Sequence, residues 1–297
     1  MKHAFLIMAH TNWRLLKRLL KRLDFSDSYI YLNIDAKAEI SEQEIADIKK
    51  VCKCAAIKTI LRKEITWGGY SQIECDLALL KAAVQDANNY YHYMSGNDYL
   101  LVSEKEFKEF FCENRGKEFI GFSRKGFAAQ ERQRYQVYHF FQEKVGRDKS
   151  ALYWLQKALV KLQMYSRVDR TKKFAGIEYE MGSNWCSITD YFAKYLLSKE
   201  QMIREMFRCG FCCDEAFVQT VFVNSPFVNN NFQRASCIGE ENTQNVRAID
   251  WKRGKPYTYE YADYEELMKS GNIFVRKVNN DTPERERLLD ILDKTEG

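Results

Sequence analysis

The first sixty residues alternate two patterns that only a layered α/β fold accommodates together. Residues 5–8 (Phe-Leu-Ile-Met) and 29–34 (Tyr-Ile-Tyr-Leu-Asn-Ile) are short, dominantly apolar runs, the mark of strands buried on both faces. Between them Leu15, Leu16, Leu19, Leu20 and Leu23 recur at helical spacing, with Arg14, Lys17, Arg18, Lys21 and Arg22 forming the other stripe. Ser41 with Glu44 three residues on reads as a capping box that opens a second helix, and residues 55–60 read as a third strand. Strand–helix–strand repeats of this kind join parallel strands, and ligands then gather outside the carboxyl ends of the sheet. His10, Asp35 and Trp67 each fall just past an apolar run and so are expected on that rim. The predicted class is α/β: a doubly wound, mostly parallel sheet with flanking helices.

Residues 70–84 continue the pattern as a helix and 90–94 as an aromatic strand, followed by the polar turn Ser95-Gly-Asn-Asp98. From 104 to 180 the chain is helical, basic and aromatic without alternation, which predicts a helical insertion bordering a cleft. Residues 182–190 lead into another helix, and 245–251 and 273–278 read as short strands carrying Arg247, Arg276 and Lys277. Cations on or beside strands need an anionic partner or a route to solvent, and a diphosphate would be such a partner. No internal repeat or low-complexity linker divides the chain, so 1–297 is expected to be a single domain. Its parts would be a nucleotide-binding half (1–103), the insertion (104–180) and an acceptor and catalytic half (181–297).

Several classes drop out. A chain 45% hydrophobic and 14% aromatic, with three prolines, is not disordered. The amino-terminal apolar run is too short to span a bilayer and lacks a cleavage signal, so a cytoplasmic protein is expected. Nine cysteines, an odd number set among apolar residues, suit reduced buried thiols better than a disulfide framework. Cys52-Lys-Cys54 and Cys209-Gly-Phe-Cys212 lack the second pair that a zinc site needs, and all four histidines lie far upstream; no metal is expected. The net charge of +5 is mild and comes with no nucleic-acid signature. Two basic amphipathic segments could lie on an anionic membrane. The leucine-striped one suits a core helix better; for residues 151–164, flanked by Lys172 and Lys173, both readings stand.

The run Cys213-Asp-Glu-Ala-Phe-Val-Gln-Thr220 opens a helical pattern with two acids. Such a pair either offsets a helix dipole or holds a base ready for chemistry. The chain contains no Asp-x-Asp triplet of the kind that holds a cation in metal-dependent sugar transferases.

Eight blocks in order resemble the core-2/I-branching β-1,6-N-acetylglucosaminyltransferases and peptide O-xylosyltransferases. They are Leu6-Ile-Met-Ala-His10, Tyr31-Leu-Asn-Ile-Asp-Ala-Lys-Ala38, Trp67-Gly-Gly-Tyr-Ser71, Ser95-Gly-Asn-Asp-Tyr-Leu-Leu-Val-Ser103, Gly182-Ser-Asn-Trp185, Asp214-Glu-Ala-Phe-Val-Gln-Thr220, Arg247-Ala-Ile-Asp-Trp251 and Asn272-Ile-Phe-Val-Arg-Lys277. The resemblance implies a GT-A-like fold that works without a divalent metal or other cofactor. It implies that Glu215 is the catalytic base of an inverting transfer, that Arg247 and Lys277 meet the donor diphosphate, and that Asp35 binds uridine. Trp67 takes the place of an aromatic near the base, Asp98 lines the donor sugar or orders the cleft, and His10 joins the donor side. Trp185, Asp214 and Trp251 are the acceptor-side candidates. The family pattern has Pro where Leu100 stands, and its Phe-Ala-Arg-Lys-Phe becomes Phe274-Val-Arg-Lys-Val278. The animal enzymes carry a membrane anchor and lumenal disulfides, so this chain resembles a bacterial cytoplasmic member. The partners implied are a UDP-sugar (UDP-GlcNAc first, UDP-xylose and UDP-galactose behind) and a glycan, lipid-linked or capsular, with peripheral contact to the inner membrane face. A non-catalytic nucleotide-sugar or glycan binder and a membrane-surface scaffold remain the alternatives.

Overall fold

A computed structural model describes residues 1–59, 62–123, 129–233 and 243–295. The strands are β1 (His3–Ala9), β2 (Ser28–Ile34), β3 (Ala56–Thr59), β4 (Tyr90–Ser95), β5 (Asp98–Leu100), β6 (Ser187–Thr189), β7 (Arg247–Ile249) and β8 (Phe274–Arg276). The helices are α1 (Trp13–Arg22), α2 (Glu42–Lys49), α3 (Tyr70–Val84), α4 (Glu104–Glu113), α5 (Ala129–Gln136) and α6 (Gln142–Val145), followed by α7 (Ala151–Tyr165), α8 (Asp190–Ser198), α9 (Glu200–Phe207), α10 (Phe217–Val223), α11 (Tyr264–Lys269) and α12 (Pro283–Leu292). Ile60, expected in the third strand, lies outside the described residues.

The main sheet runs β3-β2-β1-β4-β6, with the first four strands parallel and β6 antiparallel to β4. The chain steps outward from β1 to β3, then α3 carries it back to β4 on the other side of β1. Strand order therefore reverses between β1 and β4, and the carboxyl ends of those two strands open a crevice. Along β1 the side chains alternate between two cores: Phe5, Ile7 and Ala9 join the α1, α4 and α12 side, and Ala4 and Leu6 join the α3, α8 and α10 side. Burial on both faces explains why the strands read as continuous apolar runs. A second sheet, β5-β8-β7, pairs Asp98 with Arg276 and so ties residues of the first hundred to the last thirty.

Local chemistry sets the helices that frame the crevice. Asn12 caps α1 by accepting from Leu15 N (3.2 Å), and Leu15, Leu16, Leu19 and Leu20 are buried. The basic stripe of α1 is taken up by acids: Arg18 meets Glu286 (2.7 Å) and Asp293 (2.6 Å) of the carboxyl-terminal segment, and Lys17 meets Glu44 (2.9 Å). The leucine-striped segment is thus a core helix. That last ion pair also corrects the reading at Ser41. Its hydroxyl caps α2 by accepting from Glu44 N (3.1 Å), but the Glu44 carboxylate turns to Lys17 rather than closing a capping box. A full box forms at Ser103 and Glu106, at the start of α4.

Candidate active site

His10 follows β1, Asp35 follows β2, and Ser95 to Asp98 follow β4, so three sequence candidates stand on the carboxyl rim of the sheet. Asp35 is buried; its Oδ1 accepts from Lys37 N (2.9 Å) and Ile65 N (3.4 Å), and its Oδ2 has no donor among the described residues. Lys277 follows β8, with its backbone pinned by Tyr257 O (3.3 Å) and Tyr259 N (3.0 Å). Its ammonium has no hydrogen-bond or ion-pair partner among the described residues. The field at this corner is strongly positive. His10 reaches solvent, yet it is held below the usual histidine range, first by the protein packed around it; Asp35 opposes this, and Lys277, Arg147 and Arg276 add to it.

Trp67 stands at the lip of a cavity of about 450 Å³ lined by Lys37, Thr66, Glu143 and Arg147. The Arg147 guanidinium covers the indole at 4.6 Å, and Phe211 meets it edge-on at 5.5 Å. Gly68 turns the chain with φ of +70°, a conformation that suits glycine, and its carbonyl accepts from Cys212 N (2.9 Å). The Trp67 loop is thereby tied to the segment that carries the acidic pair.

Cys213–Glu215 form one turn of 3₁₀ helix ahead of α10. Glu215 is partly exposed; its Oε2 accepts from Arg134 (2.6 Å), while Oε1 has no donor among the described residues. Burial works against the Arg134 charge, and Glu215 more than restores it. Asp214 points inward. Its Oδ2 accepts from Gln72 (3.1 Å) and Asn184 (3.3 Å), and its Oδ1 is buried without a partner. Burial, then the charge of Glu215, pushes the Asp214 carboxyl up to about 7, and Asp76 on α3 is raised well above its usual range by burial and by Asp214. Asp214 is thus favoured in its protonated form. Gly182 binds the Glu215 carbonyl through its own N–H (2.8 Å), and a Cβ there would sit 2.0 Å from the Gly121 carbonyl oxygen, so only glycine fits.

Arg276, absent from the sequence candidates for the site, joins the two corners. Its guanidinium lies 3.6 Å from the Trp185 ring centroid and donates to Asp98 (2.6 Å) and Ser95. Asp98 is buried in that pair, so it orders the cleft through Arg276. Residues 182–185 thus touch both the Glu215 backbone, through Gly182 N, and Arg276, through the Trp185 ring. Arg134, Gln72, Asp76 and Arg147 were also missed. The one signal among them was Asp76, an acid set among the apolar residues of α3 and buried there.

Three expectations need correction. Arg247 is buried, donating to Asn245 O (2.7 Å), Cys186 O (2.8 Å) and Tyr93 O (3.2 Å) over the Phe274 ring, and burial lowers it to about 10. Its two terminal nitrogens serve these carbonyls and Ser187 Oγ, and Nε is buried with no partner among the described residues, so the guanidinium ties the two sheets together inside the protein and turns no open face to a diphosphate. Asp214 does not cap α10: its carboxylate serves Gln72 and Asn184, and Ala216 intervenes. Trp251 is exposed after β7 and has no ring contact among the described residues, so nothing joins it to Glu215. As for zinc, among the described residues no three His, Cys, Asp or Glu side chains are grouped to hold a metal.

Asp214→Asn tests the buried proton. A carboxyl raised from 3.8 to about 7 holds its proton more tightly folded than unfolded, so the wild type loses stability as pH rises through that window. The variant escapes this loss. Its melting temperature relative to wild type should climb steadily between about pH 4 and about pH 7; a pH-independent difference would contradict the assignment.

The family described as Core-2/I-Branching enzyme matches residues 3–270. Xylosyltransferase 2 of Rattus norvegicus is 23% identical over 316 residues, covering 98% of this chain and 33% of the relative. Xylosyltransferase sqv-6 of Caenorhabditis briggsae is 21% identical over 249 residues, covering 82% and 27%. The chain thus spans about a third of the length of the curated relatives it matches. The structure of mouse xyloside xylosyltransferase 1, apo form, aligns over 95% of this chain and 99% of its own, with a TM-score of 0.39 and 14% identity.

Proposed function

The chain belongs to the Core-2/I-branching enzyme family, and from that membership we propose an inverting glycosyltransferase that moves a sugar from a UDP-sugar to a glycan hydroxyl without a divalent metal. The observation that carries it is that one segment, 182–185, lies between Glu215, whose Oε1 has no donor among the described residues, and Arg276, next to a Lys277 ammonium that has no partner among the described residues. In the step proposed, the acceptor oxygen forms a bond to the anomeric carbon as Glu215 takes its proton. The bond from that carbon to the diphosphate breaks on the opposite face, and UDP leaves with the electron pair. Lys277 then stabilises charge that grows on the diphosphate, which lowers the barrier more than it tightens the ground state. Asp35 Oδ2, with no donor among the described residues, is the acceptor offered to uridine.

Within this reading the fold is of the GT-A kind and the donor is UDP-GlcNAc. UDP-xylose gains weight from the names of the curated relatives, and UDP-galactose follows. The acceptor is a lipid-linked glycan in bacterial surface-polysaccharide synthesis on the cytoplasmic side. The test is release of UDP from each donor with EDTA present. Release from one donor at a rate unchanged by EDTA is expected. Release that EDTA abolishes would overturn the metal-free reading, and binding of UDP-sugars with no turnover, acceptor mixtures included, would favour a non-catalytic binder.

A further inference from the structure

Helix α7 is apolar around most of its circumference and is anchored by two glutamines. Gln156 is buried, and it and Gln163 spend their amides on the preceding loop. Gln156 donates to Gln142 Oε1 (3.0 Å) and accepts from Phe141 N (2.8 Å), while Gln163 accepts from Tyr138 N (2.9 Å) and donates to Tyr138 O (2.9 Å). At 100° per residue the opposite face gathers Trp154, Ala158, Leu162 and Tyr165, with Leu155 beside them. These side chains are exposed, Trp154 to 61% and Tyr165 to 88%. The half-buried side of the helix carries Leu152, Tyr153, Leu159 and Val160 around the two glutamines, so the outer strip is apolar surface beyond what an amphipathic surface helix turns inward. A contiguous exposed apolar strip of this kind marks an interaction surface.

Charge says what covers it. Residues 149–173 hold seven basic side chains against one acid, Asp169, which is engaged by Thr171 and Gln136. Lys157 and Lys161 run along the edge of the strip, both exposed. A second copy of the chain facing this surface would set like charges against each other. No helix among the described residues is long and apolar enough to cross a membrane. An apolar strip with Trp and Tyr on it and lysines at its border suits the plane of an anionic bilayer interface.

We propose that the exposed face of α7 docks on an anionic lipid bilayer, with Trp154, Leu162 and Tyr165 at the acyl boundary and Lys157 and Lys161 at the phosphates. The docking helix is linked to the rim of the cleft, because Gln142, held by Gln156, donates to the Trp67 carbonyl (2.9 Å). Docking would then present the Glu215 cleft to an acceptor carried in the lipid; that consequence rests on the reaction proposed above, whereas the docking does not.

The test is flotation of the full chain with vesicles of phosphatidylglycerol and phosphatidylcholine, against phosphatidylcholine alone. Anionic vesicles should carry the protein, at least tenfold less remaining bound in high salt or on the neutral lipid. The double variant Leu155→Glu with Leu162→Glu should lose at least tenfold in binding, with an unchanged melting curve and unchanged UDP release. Failure to float with anionic vesicles, or equal flotation of the variant, overturns the docking. So does a dimer in solution that the variant dissociates, which would make the face a contact between copies. Flotation without any UDP release upholds the docking and overturns the reaction.

Discussion

Glu215→Gln should lower the transfer rate by about 10²–10⁴-fold, the usual worth of a positioned base, while UDP binds as before and the protein melts as before. The substitution keeps the size of the side chain and an oxygen for Arg134, whose hydrogen bond to Glu215 spans 2.6 Å. What it removes is the ability to accept a proton at Oε1, the oxygen left open to the cleft. Asp214 cannot stand in, because it is buried and already holds a proton up to about pH 7. Glu215→Ala is the poorer experiment, since it strips a half-buried guanidinium of its partner and mixes a stability change into the rate. Single-turnover kinetics with donor and acceptor, beside calorimetric titration with UDP, separates the two effects. A Glu215→Gln enzyme at wild-type rate would remove the base.

What the sequence shows of this fold is what depends on neighbours along the chain. Strand β1 and the leucines of α1 follow from the runs and spacings of neighbouring residues, so the local pattern exposes them. Placing His10 and Asp35 on the rim needed only the rule that strand ends gather ligands. The capping box expected at Ser41 stands at Ser103 instead, because the Glu44 carboxylate finds Lys17, and among the charged site residues the question left open is which cation points where. Arg247 and Arg276 sit at equivalent-looking places on short strands, yet one is folded over Phe274 onto three carbonyls and the other stacks on Trp185 and pairs with Asp98. Nothing local distinguishes them, because the deciding partners, Cys186 and Tyr93 for the one and Asp98 and Ser95 for the other, lie 61 to 181 positions away. Helix α7 defeats pattern reading for the same reason. Its apolar residues are plain, but which of them face outward is decided by Gln156 and Gln163 finding the loop at 138–142. Arg134, the partner of Glu215, comes from the basic segment 104–180, where one arginine among many carries no mark.

The difference between the two kinds of cation yields the other large effect. Lys277→Ala should cost both UDP affinity, by about tenfold (1.4 kcal/mol), and turnover, by about 10²–10³-fold, the scale of removing one preorganised donor from a developing charge. The asymmetry follows from the reaction: the diphosphate carries more negative charge as the sugar departs than when it arrives, so a fixed cation matters most at that moment. Folding should be spared, because the backbone of Lys277 is held by Tyr257 and Tyr259 while its ammonium has no partner among the described residues to abandon. Lys277→Arg should recover part of the loss, the charge being kept but spread over a planar fork. Arg247→Ala is the contrast: it takes a donor from the carbonyls of Asn245 and Tyr93 inside the protein, while the Cys186 carbonyl keeps Tyr93 N, and a buried group left unsatisfied costs about 1–3 kcal/mol. That variant should melt lower and, where folded, bind UDP as the wild type does. The reverse result, with Arg247→Ala folding normally and losing UDP while Lys277→Ala keeps it, would move the diphosphate from the mouth of the cleft to the seam between the sheets, and the proposed geometry would fall with it.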